Sequence, residues 1–175
     1  TDYITGQIKK ILGSQDKPFV PLAYSGSGQP LLHALDRIAG TTDDRIETAI
    51  LVGAPTYDTH FENISSSLKR IVNIYGTEDK GVNEYLMAVP QGLSAIPNLP
   101  IKNGFFYSPT VAKEFTSSFG LQTINIELVG VEHDMYFVDP YNVKSDPDKA
   151  NLVARANDFV ATATALALTP DLLED

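Results

Sequence analysis

Three polar side chains of this 175-residue chain are of the types that together make a serine hydroxyl reactive: Ser25, Asp79 and His133. A serine hydroxyl is a weak nucleophile at neutral pH, so a histidine must accept its proton while a carboxylate fixes the histidine tautomer and stabilises the imidazolium. Each of the three follows a short apolar stretch, and 54 residues separate each from the next. Because such spacing accommodates a helix, a strand and a loop, it predicts that all three lie at one edge of a sheet.

The segment 19–33 predicts a short strand, an abrupt turn of tiny residues and then a helix. A serine in such a turn projects its hydroxyl from a strained corner, and crowding of the backbone requires small residues two positions before and after it. For Ser25 these positions are Ala23 and Ser27, whereas for Ser27 the second position would be the bulky Gln29. We therefore choose Ser25 as the nucleophile. The alternative is that Ser25 is an ordinary residue capping a helix N-terminus.

The acid and the base each have competitors nearby. Glu78 is adjacent to Asp79, and we favour Asp79 because of its position relative to Gly76. Of the three histidines, His133 is the one that directly follows a predicted strand. His33 lies within the predicted helix after the serine turn and is interpreted as structural. His60 lies in a loop, where a surface role is favoured over contact with a substrate.

Metal and phosphate sites are disfavoured by the motifs. The chain has no cysteine and no His-Glu-x-x-His, and the loop from Asp139 to Asp148 lacks the spacing of a calcium loop. The glycine-rich turn also fails both phosphate-binding patterns, because Leu31 stands where a dinucleotide site needs its third glycine and no Lys-Ser/Thr pair follows Gly28. We expect neither a metal nor a cofactor, although a simple anion cradle at the helix N-terminus stays open as an alternative.

Apolar segments alternate between strand-like and helical patterns, which predicts an α/β fold with a mostly parallel sheet flanked by helices. No linker divides the chain, so residues 1–175 are expected to form a single domain. Strands are predicted at Phe19–Ala23, Ile46–Val52, Ile71–Tyr75 and Gln122–Val129, and helices over 1–12, 27–39, 110–118 and 148–168. Gly13 is expected to stop the first helix, and the last helix is expected to bury a stripe of Leu152, Val153, Ala156, Phe159 and Val160. The long stretch 81–108 has weak periodicity and is expected to be a lid or a substrate-binding insert.

Composition excludes some partners. The net charge of −9 and the absence of a basic run disfavour a nucleic-acid partner. No apolar run reaches membrane-spanning length, so no membrane span is expected. The absence of cysteine excludes disulfides but does not identify the compartment, which the sequence leaves undetermined.

Three segments in this order resemble the lipase- and esterase-like α/β-hydrolases. Ala-Tyr-Ser25-Gly-Ser-Gly is similar to their nucleophile elbow, Gly76-Thr-Glu-Asp79 to their acid turn, and Gly130-Val-Glu-His133 with the following Asp-Met-Tyr-Phe to their histidine loop. The resemblance covers the second half of that fold and lacks the first half, including the loop that supplies one oxyanion donor. Ala23 and Ser27 depart from the usual glycines, and Pro21 is unexpected in a nucleophile strand.

The resemblance implies a serine hydrolase acting on carboxylic esters, with Ser25 attacking, His133 as base and then acid, and Asp79 orienting His133. It also implies that the N–H of Gly26 is one oxyanion donor. The acyl ester substrate is expected to contact an apolar group of residues, Tyr24, Met87, Phe105 and Phe106. A missing N-terminal segment, on the same polypeptide or a second chain, is expected to complete the fold. The alternative function is a catalytically inactive hydrolase-like or anion-binding interaction domain.

Overall fold

The computed structural model describes residues 1–39, 45–54, 63–64, 68–79 and 121–169. Within these ranges, four parallel strands form one sheet in the order β1-β2-β3-β4, so each strand pairs with the next one along the chain. The strands are β1 (Leu22–Tyr24), β2 (Thr48–Val52), β3 (Arg70–Gly76) and β4 (Gln122–Leu128), and the helices are α1 (Asp2–Ser14), α2 (Gly28–Ile38) and α3 (Pro147–Leu168). The predicted α/β class with a parallel sheet is confirmed.

Helices cover both faces of the sheet, and side chains that alternate along each strand contribute to both of the resulting cores. In the fully buried β2, Ala49 and Leu51 join the core formed with α1 and α2. Ile50 and Val52 point to the opposite face and join the core formed with α3. Burial on both faces explains why β2 is a continuous apolar run rather than an alternating one.

The first strand begins at Leu22 rather than at Phe19, and Pro21 explains the difference. Proline has no N–H to donate to a ladder, so regular pairing starts after it. The carbonyl of Pro21 still accepts from Ile50 N at 2.9 Å, and Phe19 N donates to Arg45 O at 3.0 Å. The segment before β1 therefore runs alongside the start of β2 without forming a continuous ladder.

Two helices differ from their predicted form. The first helix continues through Gly13 to Ser14 instead of stopping at the glycine, with Ser14 Oγ donating to Ile11 O at 2.8 Å. In α3 the predicted buried stripe included Phe159, which is 43% exposed. The stripe that faces the sheet is dominated by small residues and comprises Val153, Ala156, Val160, Ala163 and Ala167. Leu152 is only partly buried at its margin.

Two polar pairs join β3 to β4 at directly opposed positions. Asn73 Nδ2 donates to Asn125 Oδ1 at 3.0 Å, and Tyr75 Oη donates to Glu127 Oε2 at 3.0 Å. Burial, together with the hydrogen bond to Glu127 and its charge, raises the pKa of Tyr75 from 10.0 to about 12. Folding therefore favours the protonated phenol.

Replacement of Tyr75 by Phe should flatten part of the loss of stability in alkali. A native pKa raised above the unfolded value gives a contribution that is complete below pH 10 and disappears as the pH rises towards 12. We expect Y75F to lower the free energy of unfolding at pH 8 by about 1 kcal/mol, with a smaller further decline between pH 10 and 12 than in the wild type. Urea unfolding across this range measures both effects.

The control is Tyr3→Phe, which removes a hydroxyl from a side chain that is 77% exposed. Its unfolding curve should follow that of the wild type. A Y75F curve that declines as steeply as the wild-type curve above pH 10 would contradict the assignment to the Tyr75–Glu127 pair.

Candidate active site

Ser25 occupies a sharp corner directly after β1. Residues Ser25–Ser27 form a single 3-10 turn, and α2 begins at Gly28. Ser25 has a φ of +55°, a left-handed conformation that costs a non-glycine residue about 1–3 kcal/mol. Ser27 braces the corner, since its Oγ accepts from Tyr24 N at 3.0 Å and donates to Tyr24 O at 2.6 Å. The strain is therefore held in place by the local hydrogen bonds, with the Ser25 side chain at the carboxyl end of β1.

Asp79 lies in the turn that follows β3 and is almost completely buried. The turn is fixed to the end of β4 and to the segment after it, because Thr77 N donates to Leu128 O at 3.1 Å and Glu78 N donates to Val131 O at 3.2 Å. Glu78, the competing acid, is exposed. Of these two carboxylates, the structure brings that of Asp79 to the histidine.

His133 lies between the other two residues. Its Nδ1 is 3.0 Å from Asp79 Oδ2 and its Nε2 is 2.8 Å from Ser25 Oγ. An ionised carboxylate can only accept, so the proton of the neutral ring belongs on Nδ1 and Nε2 accepts from the serine hydroxyl. The geometry thus gives a continuous hydrogen-bonded series from Asp79 through His133 to Ser25.

Two glycines provide the space for the Asp79–His133 pair. At Gly53, just past β2, an added Cβ would lie 3.0 Å from Asp79 Oδ2 and 3.3 Å from His133 Nδ1. At Gly76, the last residue of β3, an added Cβ would lie 2.1 Å from the carbonyl oxygen of Val131. Each strand end must therefore be bare for the acid turn and the histidine loop to approach.

Tyr24 and Tyr136 pack around the imidazole. The Tyr24 ring stacks on the His133 ring with centroids 5.0 Å apart, and its hydroxyl donates to the carbonyl oxygen of His133 at 2.6 Å. The Tyr136 ring contacts Tyr24 edge-on at 6.1 Å. Burial raises the pKa of both phenols, and the negative charge of Asp79 adds to the effect, so both hydroxyls stay protonated.

Of the remaining predicted site residues, Gly26 and His33 lie within the described part of the chain, and the others lie outside it. Gly26 follows Ser25 in the exposed turn, and an added Cβ there would meet nothing within 4 Å. His33 lies in α2, with its Nε2 3.2 Å from Gln29 Nε2. The other predicted features lie outside the described residues: the substrate contacts Met87, Phe105 and Phe106, the insert 81–108, the helix 110–118 and His60.

Sequence reasoning did not identify Gly53, Tyr136 or Phe137 as part of the site. Phe137 contacts the Tyr24 ring edge-on at 5.3 Å. The two aromatic residues follow His133 within the segment that carried the resemblance, and Gly53 ends the strand next to that of Ser25. Their positions in the sequence were the available indication that these residues lie near the site. The contacts that they make depend on tertiary packing, which the sequence pattern does not specify.

The described residues contain no group of three or more His, Asp or Glu side chains arranged to hold a metal ion. Within the same ranges, no helix has the length and apolar character needed to cross a membrane.

No family model matches this chain, and neither a curated protein nor a solved structure matches it.

Replacement of Gly53 by Ala should separate Asp79 from His133. Gly53 has a φ of +47°, which costs an L-residue about 1–2 kcal/mol, and the added methyl group would press on the two polar atoms that form the pair. We expect the free energy of unfolding to fall by at least this amount. We also expect the rate at which a fluorophosphonate, a serine-directed reagent, labels Ser25 to fall by more than tenfold.

The matched control is Gly13→Ala, where an added Cβ meets nothing within 4 Å in the last turn of α1. Alanine is favoured over glycine in a helix by about 1 kcal/mol, so G13A should be neutral or stabilising and should label normally. Urea unfolding and a time course of labelling compare the two variants. Normal labelling of a folded G53A protein would contradict the inference that bare backbone is needed at this position.

Proposed function

We propose that this protein is a serine hydrolase that acts on carboxylic esters through an acyl-enzyme intermediate. The observation that carries the proposal is the hydrogen-bonded series in which His133 Nε2 is 2.8 Å from Ser25 Oγ and His133 Nδ1 is 3.0 Å from Asp79 Oδ2. Both distances are within the reach needed for proton transfer and for orientation of the base. The anion-binding alternative gives no role to a buried carboxylate paired with this histidine.

In the proposed reaction, Ser25 Oγ attacks the ester carbonyl carbon while His133 Nε2 takes the hydroxyl proton. The resulting oxyanion accepts a hydrogen bond from the N–H of Gly26. His133 then gives its proton to the departing alkoxide, the C–O bond breaks, and the acyl group stays on Ser25. Water attacks the acyl-enzyme, His133 accepts the water proton and returns it to Ser25 Oγ, and the carboxylic acid is released.

Asp79 acts on His133 rather than on the substrate. Its carboxylate accepts from Nδ1–H, which leaves Nε2 free to accept from Ser25. When the imidazolium forms, the adjacent negative charge stabilises it, and the near-complete burial of Asp79 strengthens that attraction because water does not screen it.

The order of the residues along the chain supports assignment to the α/β-hydrolase type. Serine, acid and histidine follow β1, β3 and β4 of one parallel sheet, at the edge where α/β folds place their sites. The same order of the triad is typical of that class. The apolar part of the ester is proposed to contact Met87, Phe105 and Phe106, whereas the Tyr24 ring and hydroxyl are engaged with His133.

Labelling with a fluorophosphonate tests the function directly. An activated serine oxygen attacks the phosphorus of this reagent, the P–F bond breaks, and fluoride leaves as the hydroxyl proton passes to the histidine, which gives a covalent phosphonyl ester. We expect a single adduct on Ser25 in peptide mass spectrometry, no adduct in S25A, and a rate reduced about 10⁶-fold in H133A, because removing the histidine of such a triad costs about as much as removing the whole triad.

Ser27→Ala is the matched control for the serine. Ser27 Oγ is engaged with Tyr24 N and O and braces the Ser25 corner, so S27A should be less stable and should label more slowly, with the adduct still on Ser25. An adduct on Ser27, or the absence of any adduct in the full-length protein, would refute the proposal. Release of p-nitrophenol from esters of graded acyl length then defines the substrate range.

The second oxyanion donor is proposed to come from a segment that packs beside β1. Within the described residues, β1 pairs with β2 alone, so its other side is an edge of the sheet. A segment upstream on the same polypeptide, or a second chain, would cover this edge and bring an additional N–H to the oxyanion.

Residues 1–175 alone should therefore turn over esters about 10²–10³-fold more slowly than a form to which the covering segment or second chain has been added, which is the cost of one missing oxyanion donor. The completed form should also have the higher melting temperature, since an uncovered strand edge is unfavourable. Esterase turnover and thermal unfolding of the two forms provide the comparison. Equal turnover would show that residues 1–175 hold a full oxyanion site.

A further inference from the structure

A single side chain, Tyr24, holds both the ring and the backbone of His133. The two rings are nearly parallel, with 18° between their planes and 5.0 Å between their centroids, which is the offset-stacked arrangement. The Tyr24 hydroxyl donates to the carbonyl oxygen of His133 itself at 2.6 Å. Because Tyr24 directly precedes Ser25, these contacts join the histidine loop to the residue next to the nucleophile.

The backbone of Tyr24 is held by contacts separate from those of its side chain. Its backbone N–H and carbonyl are both bonded to the Ser27 side chain, so its position in β1 does not depend on the histidine loop. Its phenol is kept protonated by burial and by the negative charges of Asp79 and Asp134, which raise its pKa. The hydroxyl is therefore a constant donor at any pH where the protein is expected to work.

Two further aromatic rings close around Tyr24. Tyr136 and Phe137 contact it edge-on, at angles of 64° and 73° between the ring planes. Consecutive residues can reach the same ring because Phe137 has a φ of +59°, which turns the chain sharply between them.

A bulky side chain in the left-handed region is a true outlier, and such strain is found where the surroundings enforce it. Asn157 of α3 provides the enforcement. Its Oδ1 accepts from Phe137 N at 2.9 Å, and its Nδ2 donates to Val138 O at 2.6 Å. The ring of Phe137 is still 51% exposed, so its burial alone gives little return for the strain. The conformation brings the ring into its edge-on contact with Tyr24.

We propose that Tyr24 is a positioning residue that holds the His133 imidazole against Ser25 and stabilises the imidazolium formed during acylation. The proposal rests on the proposed serine hydrolase function. When the proton moves from Ser25 Oγ to His133 Nε2, the new positive charge lies over the negative face of the Tyr24 ring, which attracts a cation. The hydroxyl bond meanwhile fixes the backbone of His133, and the stacked ring limits rotation of the imidazole away from the serine.

Two substitutions separate these contributions. Tyr24→Phe retains the ring and removes the hydroxyl, and we expect kcat to fall about fivefold with KM changed less than twofold, as for loss of one hydrogen bond. Tyr24→Leu removes the ring as well, and we expect kcat to fall by a further factor of about ten. The rate of fluorophosphonate labelling at Ser25 should fall in parallel with kcat. A p-nitrophenyl ester is the substrate in each case.

The matched control is Tyr75→Phe. Tyr75 is also a buried tyrosine of this sheet, but its hydroxyl donates to the Glu127 side chain and not to His133. Y75F should lose stability and keep its kcat. If Tyr24 were merely structural, Y24F would behave in the same way as Y75F, with a lower melting temperature and an unchanged kcat. That result would overturn the proposal. If Y24L does not fold, the comparison of Y24F with Y75F still decides.

The outcomes distinguish this inference from the function on which it rests. Wild-type protein that labels at Ser25 while Y24F and Y24L label at the wild-type rate would leave the hydrolase standing and refute the role of Tyr24. Wild-type protein that does not label at all would refute both. Nuclear Overhauser contacts between the rings of Tyr24 and His133 in the wild type should be present in either case, and their absence would contradict the stack.

Discussion

The pairing of the buried Asp79 carboxylate with His133 is the interaction on which this end of the molecule depends. The Asp79 side chain is only 1% exposed, and a charge removed from water is strongly unfavourable unless a partner compensates it. His133 Nδ1 supplies one such contact at 3.0 Å. Room for it exists because Gly53 and Gly76 present bare backbone at the ends of two neighbouring strands. The same contact that would orient a catalytic base therefore also compensates a buried charge, so stability and the proposed chemistry are linked here.

The site consists of two parts that are held by different means. Asp79 and His133 belong to one part, because the turn after β3 is bonded directly to the segment after β4: Thr77 N donates to Leu128 O, and Gly130 N donates to Thr77 Oγ1 at 2.9 Å. Ser25 belongs to the other part, at the end of β1, with β2 and β3 between it and β4. Backbone pairing fixes the acid relative to the histidine, whereas side chains must fix the serine relative to both. Tyr24 makes this second connection, which explains why one residue contacts both the ring and the carbonyl of the histidine.

The sequence was sufficient to predict the parallel sheet and the three residues that the structure brings together at its edge. Parallel strands end at the same edge, so a polar residue just past each strand needs no further information to be placed there. Boundaries were less predictable: Pro21 delays the ladder of β1, and Gly13 is tolerated inside the last turn of α1. The burial of Phe159 was wrong because several positions around α3 are apolar, and only packing on the sheet decides which of them face inward. The roles of Gly53 and Tyr136 depend on close approaches between segments far apart in sequence, which no local pattern encodes.

The strain in the described part of the chain is concentrated around Tyr24. Ser25 and Phe137 are the non-glycine residues there with positive φ, and one directly follows Tyr24 while the other packs against its ring. Each is enforced by a polar side chain that bonds the backbone twice, Ser27 for the first and Asn157 for the second. Strain of this kind persists only where surrounding contacts over-determine it. Relaxing either corner would lower the local energy but would move the serine or the aromatic rings away from the imidazole. The conformational cost is therefore best understood as the consequence of holding Ser25 and His133 in register from the ends of two separate strands.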